Sequence, residues 1–198
     1  MIDIYNRIKF IRLSIRNINK DNNNFDWDVF KFLCSVSNSE INRKLFREMN
    51  NYCFDRLETI GEGGSRRVYI YNTLKVLKVA INEFGMEQNS VEASISRESS
   101  LCCKIYEVGK DNLWLLSELV RPLRDENEFE EITGIEFDLY RDNVISGRSK
   151  DVFTNKVILF SKKHNLNIYD LVELRNLGVG SDRRLVLLDV GYSKFSEY

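Results

Sequence analysis

The sequence predicts an α+β protein in which N-terminal helices precede a small antiparallel sheet with one helix, followed by a mostly helical C-terminal lobe. Three observations support this prediction. Apolar residues first recur at helical spacing, short strand-like runs separated by turn residues follow, and helical patterns then return. We therefore expect a helical segment over residues 1–53, a sheet-containing lobe over 54–120 and a second lobe over 121–198.

The composition narrows the class of protein. The 198 residues are 43% hydrophobic and 12% aromatic, which is enough for a core. With 29 basic and 30 acidic residues, the chain is not expected to bind nucleic acid. No apolar run approaches the roughly 20 residues that a membrane span needs, and basic residues interrupt the N-terminus where a signal peptide would be apolar. Four cysteines without a CxxC pair and one histidine argue against a zinc site and favour a reduced, cytoplasmic compartment.

Three helical patterns occupy the N-terminal segment. Over 2–18, isoleucines recur at steps of three and four opposite basic residues, which predicts an amphipathic helix. Such a helix could lie on a membrane surface or an acidic partner, but packing on its own domain is the favoured interpretation. Further helices are expected near 26–35 and 39–50, with Ser39 as the N-cap of the latter.

The middle of the chain alternates strand patterns with turn residues. The predicted strands cover 54–60, 68–71, 74–81, 104–108 and 113–120. A glycine turn at 61–65 joins the first two strands, and a hairpin turn at 72–73 joins the next two. A polar helix is expected over 86–98.

The C-terminal lobe begins where the pattern breaks at Arg121-Pro122-Leu123, which contains the sole proline. Helices are expected over 128–132 and 152–164, and the sequence between them is poorly defined. The final pattern is a hairpin whose strands cover 177–179 and 185–188.

A glycine-rich stretch, Gly61-Glu62-Gly63-Gly64-Ser65-Arg66-Arg67-Val68, lies between two predicted strands. This placement disfavours a Rossmann fingerprint or a Walker P-loop, because both open a helix. A strand–turn–strand unit instead forms a flap whose backbone N–H groups can close over phosphates. A plain turn is the alternative interpretation, since clustered glycines commonly mark turns.

Lys78 lies in the predicted strand 74–81, where alternation places it among apolar neighbours inside the domain. A buried ammonium needs an anionic partner, and Glu92 on the following helix is the candidate. Glu87 and Glu98 are competing partners. Protection of an edge strand is the alternative explanation for this lysine.

Asp189 directly follows the apolar strand 185–188 and is itself followed by Val-Gly. An ionised carboxylate at the end of a buried strand needs a cation, which a metal bound to a nucleotide would supply. The final hairpin brings Asn176 close to Asp189 and so predicts an oxygen-rich corner suited to magnesium. Asp170 lies six residues before Asn176.

In this order along the chain, the residues resemble the motifs of the protein-kinase-like fold. More closely, the whole chain resembles the short kinase-like proteins encoded by bacteriophages. The glycine stretch is similar to the glycine-rich loop, and Lys78 with Glu92 is similar to the phosphate-binding lysine and its ion-pair partner. The other matching elements are the hinge (113–119 with Arg121-Pro122-Leu123), the catalytic-loop acid and asparagine (Asp170 and Asn176), the D-F-G element (Leu188-Asp189-Val190-Gly191) and the phage-protein stretch 129–134.

The resemblance implies a minimal phosphotransferase that uses ATP and Mg²⁺ and acts on a Ser or Thr hydroxyl of a protein. Positioning and charge neutralisation provide most of such catalysis, so a small fold can suffice. The implied catalytic residues are Asp170 and Lys78, and the implied metal ligands are Asn176 and Asp189. The implied cofactor-binding residues are Gly61, Gly63, Gly64, Ser65, Val68, Lys78, Glu92 and Glu118.

Several positions depart from the kinase pattern. Arg66 stands in place of the third glycine, and Val190 replaces the phenylalanine. No His-Arg pair precedes Asp170, and the gap from Asp170 to Asn176 is six residues where the family has five. We also expect no activation segment or peptide-docking helices after Asp189.

These departures leave two alternative functions open. One is a catalytically inactive kinase-like module, a pseudokinase, that binds a nucleotide or a host or phage protein. The other is a phage structural or assembly protein whose basic N-terminal helix is the contact surface. The resemblance implies a phage-encoded protein of the host cytoplasm or of the virion. Neither nucleic acid nor a membrane span is expected to be involved.

Overall fold

The computed structural model describes residues 25–35, 43–188 and 190. The helix predicted over 2–18, the N-cap Ser39 and the candidate metal ligand Asp189 lie outside these ranges. Within the described part, seven α-helices and two antiparallel sheets confirm the α+β class. None of the helices in these ranges is both long and apolar enough to cross a lipid bilayer.

The elements are numbered in chain order. The helices are α1 (Trp27–Leu33), α2 (Arg43–Phe54), α3 (Glu83–Ser96), α4 (Glu126–Thr133), α5 (Phe137–Ser146), α6 (Val152–His164) and α7 (Ile168–Leu171). The strands are β1 (Glu58–Glu62), β2 (Arg66–Asn72), β3 (Lys75–Ala80), β4 (Ile105–Val108), β5 (Trp114–Glu118), β6 (Arg121–Pro122), β7 (Leu177–Val179) and β8 (Leu185–Leu187). The larger sheet has the order β1-β2-β3-β5-β4 and the smaller one β6-β7-β8.

Alternation along β2 and β3 sorts their side chains onto two faces of the larger sheet. Tyr69 pairs with Leu77, and the adjacent positions Val68 and Lys78 pair with each other. Tyr69 and Leu77 are fully buried in a core that they share with α1 and α2. Val68 and Lys78 therefore face the opposite side of the sheet, where Lys78 contacts Glu92 of α3. The region around Lys78, Glu92 and the glycine turn 61–65 is termed the cleft.

An aromatic cluster attaches α1 to the covered face of the larger sheet. Asp26 caps the helix, because its carboxylate accepts hydrogen bonds from the backbone of Asp28 and Val29 at 2.9 and 3.1 Å. The ring centroids of Trp27 and Trp114 lie 5.0 Å apart in an edge-on arrangement. Phe30, with no exposed surface, contacts both rings. The helices thus complete the core of the N-terminal lobe.

A second core lies beneath α4, α5 and α6, and residues of α3 also contribute to it. Phe129 and Tyr140 are fully buried there with ring centroids 4.8 Å apart. The Tyr140 hydroxyl donates a hydrogen bond of 2.8 Å to the Leu171 carbonyl, which ties α7 to α5. The two lobes join where the Leu187 backbone N–H donates to the Leu101 carbonyl at 2.7 Å.

Most predicted elements are confirmed, although one residue was assigned to the wrong element and elements such as α5 and β6 were not predicted. Phe54 belongs to the end of α2 rather than to a strand, because Met49 and Cys53 continue the buried face of the helix. Helix α5 lies between the predicted helices 128–132 and 152–164, where no element was predicted. Strand β6 lies at Arg121-Pro122-Leu123, where the sequence pattern was expected to break. Pro122 is tolerated there because β6 is an edge strand of the smaller sheet. The four cysteines are buried free thiols.

Replacing Phe30 by Ala should lower the free energy of unfolding by about 3–5 kcal/mol, because it leaves a cavity among packed rings. The measurement is urea unfolding followed by circular dichroism. Phe32 on the same helix is 78% exposed, so Phe32→Ala is the matched control and should change stability by less than about 0.5 kcal/mol. Equal effects of the two substitutions would contradict the placement of α1.

The Glu128 carboxylate gives a pH-dependent prediction. Burial alone raises the pKa of Glu128, but hydrogen bonds from Arg121 and Arg124 outweigh this effect and lower the pKa to about 2. A depressed pKa contributes stability above the unfolded value of about 4.3, and the contribution disappears as the pH falls toward 2. Glu128→Gln should therefore be about 2 kcal/mol less stable than wild type at pH 7.

The unfolding free energies of Glu128→Gln and wild type should converge as the pH falls from about 4.3 toward 2. The test is a series of urea unfolding curves over this interval. Glu126→Gln is the control, because Glu126 is exposed in the same helical turn. A wild-type advantage over Glu128→Gln that does not change with pH would refute the assigned ion pairs.

Candidate functional site

Lys78 and Glu92 form a buried ion pair between β3 and α3. The Lys78 ammonium donates to Oε1 of Glu92, and the two residues are only 8% and 1% exposed. The predicted partner of Lys78 is thus confirmed. The competing Glu87 is exposed, and Glu98 pairs with Lys163 at 2.5 Å.

Arg66 is a second cation on the same carboxylate. Its Nη1 lies 2.6 Å from Oε2 of Glu92 and 3.2 Å from Oδ1 of Asn89. Asn89 is fully buried and donates to the Asn112 carbonyl at 2.8 Å. Sequence reasoning noted Arg66 only as a departure from a motif and missed Asn89. The available signal was the spacing of Asn89 and Glu92, which places both on one face of α3.

The two cations decide the protonation state of Glu92. Burial by itself raises the pKa of its carboxyl, because the charged form loses its hydration. The charges and hydrogen bonds of Lys78 and Arg66 outweigh this effect, so the pKa lies below its ordinary value. Glu92 is therefore a carboxylate at neutral pH and holds the Lys78 ammonium in a fixed position.

The glycine turn is anchored to the beginning of α3. Asn82 is the N-cap of α3 and donates from Nδ2 to the Gly64 carbonyl at 3.0 Å. Ser65 is buried, and its hydroxyl donates to Oε1 of Gln88. A Cβ atom at Gly85 would lie 2.1 Å from the Ser65 carbonyl oxygen, so only glycine permits this close contact. The Ser65 side chain is thus engaged within the protein.

The three glycines of the turn are not required by the local backbone. Gly61, Gly63 and Gly64 are absent from the residues with positive φ in the described ranges. A Cβ atom would meet nothing within 4 Å at Gly64 and only ordinary contacts of 3.6 to 3.7 Å at the other two. Val68 lies beside Gly61 on the cleft-facing side. The space beside the α-carbons of these glycines is therefore free of close contacts within the protein.

The Glu118 carboxylate links the two lobes. Oε2 contacts Nη2 of Arg184 at 2.5 Å and accepts from the Lys104 backbone at 3.2 Å. Oε1 accepts from the Ser181 backbone at 3.2 Å. The side chain of Glu118 is only 1% exposed and holds the β7–β8 hairpin against β5. Its cofactor-binding role stays a prediction.

Asp170 and Asn176 come together at the start of the final hairpin. The Asn176 amide donates to the Asp170 carbonyl at 2.9 Å, which also orients the Asn176 Oδ1 atom. The backbone N–H of Leu188 donates to the Asn176 carbonyl at 2.8 Å. Asn176 thus lies beside the residue that immediately precedes Asp189. The predicted proximity of the Asn176 and Asp189 side chains stays a prediction.

A metal site is not complete within the described residues. Among them, no three His, Cys, Asp or Glu side chains form a group that could hold a metal ion. The Asn176 Oδ1 atom is an oxygen donor of the type that Mg²⁺ prefers. Asp189 would be the charged ligand of such a site.

Comparison with known proteins adds no assignment. A scan against protein-family models finds no match for this chain, and a search of curated proteins also finds none. Function therefore has to be inferred from the side chains described above and from the order of motifs along the sequence.

Replacing Glu92 by Gln should lower the free energy of unfolding by about 3–5 kcal/mol, because Lys78 is left buried without its counter-charge. The double variant Lys78→Met/Glu92→Gln should lose less than the sum of the single variants, with a coupling of about 0.5–3 kcal/mol. Urea unfolding measures the stability of Glu92→Gln, of Lys78→Met and of the double variant. Glu87→Gln on the exposed side of α3 is the matched control. If the stability loss of the double variant equals the sum of the losses of the two single variants, the Lys78–Glu92 ion pair is contradicted.

Proposed function

We propose that this chain is a minimal kinase-like protein that binds ATP with Mg²⁺ and transfers phosphate to a Ser or Thr hydroxyl of a protein. The observation that carries the proposal is the buried Lys78–Glu92 pair on the cleft side of the sheet, next to a glycine turn. Lysine held in this way is suited to contact phosphate oxygens, because Glu92 fixes its position.

The open glycine turn supports the proposal. None of its three glycines is needed for a left-handed backbone or for space within the protein. A ligand that approaches the backbone closely is a physical reason for glycine at such positions. The backbone N–H groups of a strand–turn–strand flap can contact phosphate oxygens.

The donor set around the cleft fits a magnesium nucleotide. Lys78 supplies a cation, and Asn176 and Asp189 supply oxygen ligands of the kind that Mg²⁺ takes. The Ser65 hydroxyl bonds to Gln88, so only the Ser65 backbone is assigned to phosphate. When bound, Mg²⁺ would neutralise charge on the phosphates, and the nucleotide would supply the phosphoryl group.

The remaining residues position the acceptor. Asp170 is partly buried on α7, and its backbone carbonyl is held by the Asn176 amide. In the proposed reaction, the Asp170 carboxylate orients the acceptor hydroxyl and accepts its proton. Glu92 contacts no substrate in this scheme and acts only by holding Lys78.

A specific observation favours the alternative of a non-catalytic kinase-like module. Arg66 occupies the position of the third glycine, and its side chain bridges the turn to Glu92 and Asn89. A turn attached to α3 in this way has less freedom to close over a nucleotide. The module would then bind a host or phage protein, and the fold would serve as a scaffold.

Calorimetric titration with ATP, with and without Mg²⁺, tests the proposal. Wild type should bind ATP in a Mg²⁺-dependent manner, and Asp189→Ala should abolish the Mg²⁺ dependence. Lys78→Met should weaken binding by about tenfold or more, because it removes a charged phosphate contact. Asp182→Ala in the exposed part of the same hairpin is the matched control and should bind as wild type.

A phosphate-transfer assay with host protein extract separates the two functions. Transfer by wild type that Asp170→Ala loses, while ATP binding persists, would support the enzyme. Binding of ATP without transfer would favour the non-catalytic module. Absence of binding by folded wild-type protein, or unchanged binding by Asp189→Ala, would refute the assigned site.

A further inference from the structure

A cavity of about 660 Å³ lies between α2 and the beginning of α3. Its wall includes Arg43, Phe46 and Arg47 from α2, Arg67 from β2, and Glu83 and Phe84 from α3. Helix α2 covers the sheet face that carries Tyr69 and Leu77. Lys78 and Glu92 are not among the residues that line the cavity.

The wall of this cavity carries unpaired positive charge. Arg43 and Arg47 are exposed and lie one helical turn apart, so their guanidinium groups are neighbours that repel each other. Within the described ranges, neither of them has a carboxylate partner. Arg67 is compensated by Glu62, whose Oε1 it contacts at 2.9 and 2.6 Å. Among the described residues of the wall, Glu83 is the only acid, so their charges sum to an excess of positive charge.

The shape and chemistry of the wall indicate the class of ligand. Guanidinium groups bind phosphate oxygens in a planar, two-pronged geometry, and two of them on one helix can hold one phosphate. The volume is much larger than a phosphate ion needs and is typical of small organic ligands. Phe46 and Phe84 add aromatic surface to the wall, and Phe84 is 68% exposed.

We propose that this basic cavity binds a small phosphate monoester with an apolar or aromatic body. Arg43 and Arg47 contact the phosphate, and Phe46 and Phe84 contact the body. The site does not depend on the proposed phosphotransferase function. Asn82 lines the cavity and also donates to the Gly64 carbonyl of the glycine turn.

Titration of the full chain with phenyl phosphate, without magnesium or nucleotide, tests the proposal. Wild type should bind saturably, and Arg43→Gln/Arg47→Gln should bind at least about tenfold more weakly, because both charged contacts are lost. Arg141→Gln/Arg148→Gln removes the same charge from exposed positions around the end of α5 and should bind as wild type.

Amide chemical shifts measured in the same titration locate the ligand. Changes should centre on Arg47, Asn51 and Glu83 rather than on the glycine turn. The proposal is wrong if folded wild type does not bind, if Arg43→Gln/Arg47→Gln binds equally well, or if the amide shift changes centre on the glycine turn. Equal affinity for inorganic sulfate at the same ionic strength would also overturn it, because the cavity would then select charge alone.

Discussion

The buried carboxylate of Glu92 is the group on which the arrangement of the N-terminal lobe depends. A carboxylate that is only 1% exposed needs cations and hydrogen-bond donors in place of water. It obtains them from separate elements, because Lys78 belongs to β3 and Arg66 follows the glycine turn. One side chain thus fixes a strand, a helix and a turn relative to one another. Gly85 allows the close approach of helix and turn that this arrangement needs.

The position of the cleft follows from which face of the sheet is covered. An apolar sheet face must pack against another layer, and α1 and α2 provide that layer over Tyr69, Leu77 and Trp114. The opposite face carries Lys78, which contacts Glu92 of α3 there. The Glu118–Arg184 pair holds the second lobe against β5. A buried ion pair has a strict geometry, so the pair fixes the orientation of the hairpin that leads to Asp189.

Local patterns predicted most elements because their signals lie within one segment. The periodicity of 152–164 corresponds to α6, and strand alternation at Lys78 predicted its burial. The need for a counter-charge then made Glu92 the candidate among three acids of the predicted helix 86–98. Helix α5 was not predicted, since Glu136 at its start makes no capping side-chain hydrogen bond. The Arg66–Glu92 contact joins residues 26 positions apart, and no local pattern encodes such a distance. The basic cavity was missed for the same reason, because α2 and β2 meet only in the folded chain.

The charge balance of the cleft explains why oxygen ligands near Asn176 matter for the proposed function. Lys78 and Glu92 together are neutral, and Arg66 adds at most one positive charge to the pair. A nucleoside triphosphate carries several negative charges, so these side chains alone cannot neutralise it. A divalent cation is the simplest source of the missing charge, and it requires oxygen ligands at the phosphates. Asn176 and the chain leading to Asp189 lie in the segment that could provide them. Nucleotide binding in this cleft should therefore depend on the metal more than on any single lysine.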